Sequence, residues 1–263
     1  MDYNYHTHTH RCHHATGEME EYIVRAMENG IKYMGFSDHI PYICSDGYEA
    51  LYRINSLEVR EYIAEARHLK EKYKDKIDVK IGFEMEYYPG FFEKMLESAI
   101  ACGGEYLILG EHFITEEHPD MDERYSGHPS EDTEKFNIYL NNVIEAMKTG
   151  VFTYVAHPDL FRFEGSNEAY DSGYRKICRV SRELNLPLEI NFLGIRDDRF
   201  YPNDKFWKIA GEEKSPVTFG FDAHDVQSAF DGESIAKAKK LVEKYKLNYI
   251  GKPEIIDIRK ARG

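Results

Sequence analysis

Short apolar segments alternate along the chain with longer segments whose apolar residues recur at helical spacing. The short segments are rich in β-branched and aromatic residues, which is typical of strands buried in a parallel sheet. Six of them stand out: IKYMGF (31–36), DVKIGF (78–83), YLILG (106–110), FTYVA (152–156), PLEINF (187–192) and VTFGF (217–221). We therefore predict that these segments form strands of one sheet.

The intervening segments have the pattern of amphipathic helices. Residues 19–30 place apolar side chains on one stripe and end at a glycine, a common end of helices. Residues 130–150 open with a Ser-x-x-Thr/Glu capping pattern and also end in glycine. Further helices are predicted over 55–76, 173–186 and 233–247. This alternation predicts a parallel sheet, and about seven repeats favour an α/β barrel over an open doubly wound sheet.

We expect one domain over residues 1–263, because the sequence has no low-complexity linker and no shift in composition. The longest irregular segment, residues 114–132, is long enough to form an active-site loop or lid.

Composition narrows the class of protein. The net charge of −13 argues against a binder of long nucleic acids, which would show a basic face. No segment has the length and apolarity of a membrane span, and the N-terminus lacks a secretory signal. The four cysteines are far apart in the sequence and are expected to be free thiols, as in a reducing compartment. We therefore expect a cytoplasmic protein without a membrane partner.

The segment YHTHTHRCHH (5–14) holds five histidines in ten residues. Side chains two apart on an extended strand point to the same side, so His6 and His8 can converge on one point. Histidine, aspartate or glutamate also follows most of the predicted strands: Asp38 and His39, Glu84 and Glu86, Glu111 and His112, His157 and Asp159, and Asp222, His224 and Asp225. In a parallel barrel the carboxyl ends of the strands share one face, where active sites form. We therefore predict a metal site on that face.

The donor types narrow the choice of metal. Neutral imidazole with a few carboxylates suits zinc, iron or manganese better than magnesium or calcium. So many donors exceed the needs of one tetrahedral ion and suit two or three ions. Such clusters activate water and clamp the oxygens of a transferred phosphoryl group. Cys12 is interpreted as a bystander, because no thiolate is required.

The ordered motifs H-x-H (6, 8), His14, SDH (37–39), GFE (82–84), EHF (111–113), AHPD (156–159) and FDAH (221–224) resemble the PHP superfamily of metal-dependent phosphoesterases. The resemblance implies a distorted (β/α)7 TIM-like barrel with three divalent metal ions, zinc being favoured and iron or manganese the alternatives. It implies that the first ion is bound by His6, His8, Glu84 and Asp222. Glu84 would bridge to a second ion bound by His112 and His157, and a third would be held by His14, His39 and His224.

Within the superfamily, SDHIP, EMEYYPG and LEINFLGIRDDRFYP resemble the histidinol-phosphate phosphatase branch. That resemblance implies hydrolysis of L-histidinol phosphate, a small phosphorylated substrate of histidine biosynthesis. A bridging hydroxide near Glu84 would attack phosphorus, and Asp38 is a candidate to protonate the leaving group. Arg162 and Arg196 match positions that grip the phosphate, with Arg199 as a competing candidate. The segment LGEHF departs from the GSVH-like pattern of the branch, which places the leaving group in question more than the phosphatase activity.

Three other functions remain open. The first is a PHP phosphoesterase for phosphotyrosine proteins, nucleotides or a broad range of phosphomonoesters. The second is metal-dependent amide hydrolysis, which typically uses a carboxylated lysine; no predicted strand ends in a suitably placed lysine. The third is a scaffold without metal, which would be expected to have gaps in the ligand set. The sequence does not indicate an oligomeric state.

Overall fold

The computed structural model describes residues 1–44, 46–117 and 125–260. Eight strands form one sheet in the order β1 to β8, and every neighbouring pair is parallel. The strands are β1 (Tyr3–Asn4), β2 (Tyr33–Phe36), β3 (Asp78–Met85), β4 (Tyr106–Leu109), β5 (Phe152–Val155), β6 (Leu188–Asn191), β7 (Pro216–Gly220) and β8 (Asn248–Tyr249). The predicted parallel α/β architecture is therefore confirmed. The sheet has eight strands instead of the seven expected, and β8 is only two residues long.

In the described part of the chain, eight α-helices connect the strands. They are α1 (Met19–Glu28), α2 (Val59–Tyr73), α3 (Phe92–Cys102), α4 (Thr133–Lys148), α5 (Asn167–Leu184), α6 (Phe192–Arg196), α7 (Asp204–Glu213) and α8 (Gly232–Tyr245). None of these helices, within the described part of the chain, is long and apolar enough to cross a membrane.

The sheet curls so that its two sides meet at the carboxyl end. Thr7, just after β1, forms a parallel bridge with Ala223, just after β7. The backbone N–H of His8 donates to the carbonyl of Ala223 over 2.9 Å, and the N–H of Ala223 donates to the carbonyl of His6 over 3.2 Å. These bonds bring the chain segments that follow the first and seventh strands into direct contact.

Tyrosines fill the inside of the curled sheet. Tyr3, Tyr5, Tyr106 and Tyr154 are buried together there with Ile108 and Ala156. The Tyr106 hydroxyl donates to the carbonyl of Tyr5 over 2.8 Å, so burial of its ring leaves no unpaired polar atom. This packed layer lies below the strand ends and makes the interior a core instead of a pore.

The helix α5 begins six residues before its predicted start. Ser166 caps it by accepting a hydrogen bond from the N–H of Ala169. Gly173, the predicted start of this helix, lies inside it, at a point where α4 approaches closely. A Cβ atom at this position would stand 2.6 Å from Leu140 Cδ1 and 2.7 Å from Phe136 Cε1. Gly173 therefore allows α4 and α5 to pack closely. The N-terminal cap of α4 also differs from the prediction, since it is Asp132 and not Ser130.

Candidate metal centre

The HxH segment after β1 places two imidazoles side by side. The hydrogen bonds to Ala223 keep the backbone extended, so the side chains of His6 and His8 point to the same side. Their ring centroids lie 5.2 Å apart, and both side chains are fully buried. The extended N-terminal segment therefore delivers both rings to the carboxyl end of the sheet.

Glu84, near the end of β3, is the centre of the cluster. Its carboxylate is buried and is contacted from both sides by imidazole nitrogens. Glu84 Oε2 lies 3.3 Å from His6 Nε2, 3.3 Å from His8 Nε2 and 3.4 Å from His39 Nδ1. Glu84 Oε1 lies 2.9 Å from His157 Nε2 and 3.6 Å from His112 Nε2. Five histidines from four segments of the chain thus surround one carboxylate.

Asp222, after β7, forms a second centre. Its Oδ1 lies 3.4 Å from both His6 Nε2 and His8 Nε2, and 3.3 Å from His224 Nδ1. The ring of His14 completes this side, with its centroid 4.8 Å from that of His224 and 5.4 Å from that of His39. All nine residues predicted as metal ligands therefore lie in one contiguous cluster.

The protonation states of the two carboxylates and of two of the imidazoles suit cation binding. Burial opposes ionisation of Glu84, but the neighbouring imidazoles outweigh it and hold the pKa of this carboxyl well below its ordinary value. Burial also opposes ionisation of Asp222, but the neighbouring imidazoles, His6 above all, outweigh burial and hold the pKa of this carboxyl well below its ordinary value. Burial lowers the pKa of both His39 and His224 well below that of free histidine. Ionised carboxylates and neutral imidazoles are the states that bind metal ions.

His6 differs from these two histidines. Burial lowers its pKa, but the carboxylates of Asp222, Glu189 and Glu84 outweigh burial and raise it to about 10. Without a bound cation, this imidazole is therefore protonated and offsets part of the negative charge of the site.

Several buried polar atoms of the cluster have no hydrogen-bond partner within the described residues: both ring nitrogens of His8, His39 Nδ1 and Asp222 Oδ1. An unsatisfied buried polar atom costs about 1–3 kcal/mol. The triads of donor atoms that lie within 4.8 Å of one another include His6, His8 and Asp222; His6, Glu84 and His157; and His8, His39 and His224. The donor set and its orphaned atoms therefore fit divalent metal ions.

Carboxylates and backbone carbonyls orient the imidazoles from behind. His6 Nδ1 lies 2.8 Å from Glu189 Oε1, and His112 Nδ1 lies 2.8 Å from Glu86 Oε1. His14 Nδ1 lies 2.7 Å from the carbonyl of Cys12. Such contacts fix which nitrogen of each ring faces the metal side. Sequence analysis did not assign Glu189 a role, although its position two residues before Asn191 on β6 places both side chains on one face.

Behind Glu86 stands a buried arginine that sequence analysis missed. Arg53 contacts Glu86 and Glu117 through its guanidinium, and its Nη1 donates to the carbonyl of Ile40 over 3.1 Å. The hydroxyls of Tyr52 and Tyr88 each donate to Glu117 over 2.7 Å. This network connects the orientation of His112 to the start of segment 114–132. Residues 118–124 of that segment, including His118, lie outside the described residues.

Asp38, predicted as a candidate acid for the leaving group, does not line the cavity above the cluster. The backbone N–H of Thr9 donates to Asp38 Oδ1 over 2.7 Å, and the Thr9 hydroxyl donates to Oδ2. Its Oδ1 lies 3.6 Å from His8 Nδ1, behind the imidazole. Asp38 therefore lies behind the His8 ring, away from the cavity.

The two arginines predicted to bind phosphate, Arg162 and Arg196, also do not line the cavity above the cluster. Arg162 lies in a separate cavity, donates to Glu164 over 2.8 Å and stacks over Phe200. Arg196 points to another side, where its Nη2 donates to the carbonyl of Asp222 over 2.9 Å. The prediction for both arginines rests on matching motifs. A motif match indicates the position of the backbone but not the direction of a long side chain.

A cavity of about 700 Å³ opens above the cluster. Arg199 is the one lysine or arginine among the described residues that line it, and it is held by Asp197 and by the Tyr201 hydroxyl. The described lining includes four carboxylates, those of Glu84, Asp197, Asp222 and Asp225, together with aromatic side chains that include Tyr52, Phe113 and Tyr125. Among the described residues, Arg199, the competing candidate, is therefore the arginine that lines this cavity.

The fold is a parallel α/β fold, and its imidazoles and carboxylates gather at the carboxyl ends of the strands. These features define a class of barrel-like proteins that have a histidine-rich centre for metal ions. A sequence model of the PHP domain matches residues 4–192, which is more than half of the chain. The chain belongs to the PHP domain family.

Relatives of known name cover most of the chain. A protein of Deinococcus radiodurans named "Probable histidinol-phosphatase" is 28% identical over 83% of this chain and 85% of its own length. The histidinol-phosphatase of Bacillus subtilis is 23% identical over 86% of this chain and 96% of its own length. The fold is similar to that of the histidinol phosphate phosphatase HisK of Lactococcus lactis, solved with zinc, L-histidinol and phosphate. That similarity has a TM-score of 0.71 at 20% identity, over 98% of both chains.

Proposed function

We propose that this protein is a metal-dependent phosphatase that hydrolyses L-histidinol phosphate to L-histidinol and phosphate, as a cytoplasmic enzyme of histidine biosynthesis. The observation that carries the proposal is the gathering of seven imidazoles, Glu84 and Asp222 at the floor of a cavity of about 700 Å³. The names of the sequence relatives support the choice of substrate.

The charge of the cavity supports the dependence on metal. The described lining residues set four carboxylates against one arginine, so the side chains of the cavity alone offer a phosphate dianion little net positive charge. Bound divalent ions reverse this local field, neutralise phosphate oxygens and lower the pKa of water. We propose three ions, with zinc favoured by the many imidazoles and by the zinc in the Lactococcus structure.

The residues of the chain would bind the metal ions, orient the ligand rings and contact the phosphate. Glu84 contacts imidazoles on both of its oxygens, which suits a bridge between two ions. Glu189 and Glu86 hold the rings of His6 and His112 from behind, so these donors are preorganised. Arg199 offers N–H groups to phosphate oxygens at the cavity wall.

The upper cavity suits a cationic leaving group with a flat ring. Asp197 and Asp225 supply carboxylates for the ammonium of histidinol, and the parallel rings of Tyr52 and Phe113, with centroids 5.6 Å apart, offer an aromatic wall. A nucleotide would add further phosphates to an already acidic cavity. This charge pattern supports histidinol phosphate over nucleotides.

A panel assay tests the proposal. Phosphate release is measured from histidinol phosphate, p-nitrophenyl phosphate, a phosphotyrosine peptide and nucleotides, with metal counted in the same preparation. We expect kcat/KM to be at least about a hundredfold higher for histidinol phosphate, equivalent to about 2.7 kcal/mol of discrimination. Chelation should abolish turnover, and zinc should restore it. Similar values for all substrates would overturn the proposed specificity, and full activity after complete metal removal would overturn the mechanism.

Arg199 and Arg162 form a matched pair of variants. Arg199→Met is expected to lower kcat/KM for the phosphate ester about 10- to 100-fold, because one charge-assisted contact contributes roughly 1.5–3 kcal/mol. Arg162→Met should stay within about twofold of wild type, since this exposed side chain pairs with Glu164 in another cavity. Steady-state kinetics measures kcat/KM of both variants, and a metal analysis of the same samples verifies that their metal content equals that of wild type. The reverse pattern would restore Arg162 as the phosphate ligand.

A further inference from the structure

Tyr201 lies in the wall of the cavity above the metal centre, and the proposed function assigns it only the contact with Arg199. Its ring packs against Gly194 of α6, where a Cβ atom would stand 2.5 Å from Tyr201 Cδ2 and 2.7 Å from Cε2. The ring of Phe200 meets it edge-on, with the centroids 5.2 Å apart. Because packing on these sides fixes the orientation of the ring, the hydroxyl has a defined position.

That position lies between the metal centre and the arginine of the cavity wall. The ring centroid of Tyr201 is 6.1 Å from that of His157, whose Nε2 lies 2.9 Å from Glu84 Oε1. At its other end, the Tyr201 hydroxyl accepts a hydrogen bond from Arg199 Nη1 over 3.1 Å. A phosphate group bound above His157 would therefore have the tyrosine and the arginine beside it.

The hydroxyl of Tyr201 still has a proton to donate. A phenol both accepts and donates, and within residues 1–44, 46–117 and 125–260 no oxygen accepts this O–H. The bond accepted from the guanidinium polarises the hydroxyl and strengthens the bond that it can donate. Tyr52, also in the cavity wall, differs because its hydroxyl already donates to Glu117 over 2.7 Å.

A bound phosphate needs donors on the side that faces away from the metal ions. Arg199 is already partly used, since its Nε and Nη2 donate to Asp197 Oδ2 over 3.2 and 2.9 Å. Hydrogen bonds to an ionised oxygen are the strong ones, so a preorganised O–H adds substantially to the remaining N–H groups of the arginine.

We propose that Tyr201 is a phosphate-binding residue, whose O–H donates a hydrogen bond to a non-bridging oxygen of the substrate phosphate. Tyr201 and Arg199 then hold the phosphate from the side opposite the metal ions. The proton stays on the phenol, and Arg199 acts partly by polarising this hydroxyl. The inference rests on the proposed function, because it needs a phosphate ester at the same site.

Tyr201→Phe tests the contact, because it removes the hydroxyl and keeps the ring. In the metal-loaded protein we expect kcat/KM to fall about tenfold or more, equally for histidinol phosphate and p-nitrophenyl phosphate, because both present the same phosphate. The inhibition constant of inorganic phosphate should rise by a similar factor, with unchanged metal content. The fold is expected to remain intact, since the one hydrogen bond lost comes from an exposed arginine, and the melting temperature verifies this.

Tyr174→Phe is the matched control. Its buried hydroxyl donates to the carbonyl of Phe161 over 2.7 Å, and its side chain does not line the cavity. This variant should keep kcat/KM and phosphate inhibition within about twofold of wild type. A double-mutant cycle adds a second measurement: Tyr201→Phe should cost less in an Arg199→Met background than in wild type, because residues that share one contact are not additive.

The outcomes separate the two proposals. Wild-type kcat/KM and wild-type phosphate inhibition in Tyr201→Phe overturn the inference, while the proposed function stands. A loss confined to histidinol phosphate also overturns it, since the hydroxyl would then act on the leaving group and not on the phosphate. Strictly additive effects of Tyr201→Phe and Arg199→Met contradict the coupling between the two residues. A metal-loaded wild type that neither hydrolyses any ester nor binds inorganic phosphate overturns both proposals.

Discussion

Glu84→Ala is expected to abolish phosphatase activity and to lower the number of bound metal ions. Glu84 is contacted by five imidazoles through both carboxylate oxygens, so its removal takes away the proposed bridge and the anionic ligand at once. Loss of a group that only orients a ligand costs 10- to 100-fold. We therefore expect kcat/KM to fall by more than about a hundredfold, measured with metal content in the same samples.

Two comparisons make the Glu84 result specific. Glu84→Gln keeps the volume but removes the charge and is expected to behave almost like alanine. Glu145→Ala removes an exposed carboxylate that pairs with Lys148 on α4, and it should match wild type. Zinc should raise the melting temperature of wild type and of Glu145→Ala more than that of either Glu84 variant, since metal stabilises only a protein that binds it. Full activity and full metal content in Glu84→Ala would refute the assignment of this residue.

The proposed metal ligands could be located from sequence because parallel strands align their carboxyl ends. Each of His39, Glu84, His112, His157 and Asp222 lies on or just after a strand, so knowing the strands places these residues on one face. Long side chains follow no such rule. Arg162 turns to Glu164 and Arg196 to the backbone of Asp222, contacts that depend on how neighbouring loops fold.

The capping residues of α3 and α7 explain why the sequence did not predict α3 and how it could have predicted α7. Phe91 precedes α3 without a side-chain cap, so the start of that helix lacks a sequence signal. Asn203 does cap α7 by accepting a hydrogen bond from the N–H of Lys205, and this signal could have been used. Arg53 had no signal, because it lies outside regular structure and its partners Glu86 and Glu117 are distant in sequence.

Gly110→Ala is expected to disturb the centre without altering any proposed ligand. Gly110 directly follows β4, where a Cβ atom would stand 1.9 Å from Glu84 Oε1 and 2.6 Å from its Cδ. Glu84 is fully enclosed, so the carboxylate has to shift away from His157 Nε2, now 2.9 Å from Oε1. A displacement of about 1 Å in a catalytic site can cost about a hundredfold in rate. We expect a loss of that order in kcat/KM, together with weaker zinc binding, measured by titration.

Gly90→Ala is the matched control, because a Cβ atom there meets no atom within 4 Å and φ is in the ordinary range. The same substitution should leave activity and zinc binding unchanged and should stabilise the fold slightly, if at all, through the unfolded chain. A difference between the two variants therefore reports the contact with Glu84 and not a general effect of replacing glycine. If Gly110→Ala kept wild-type turnover and zinc affinity, the position of the Glu84 carboxylate would not matter for catalysis, and its role as the bridge between two ions would have to be abandoned.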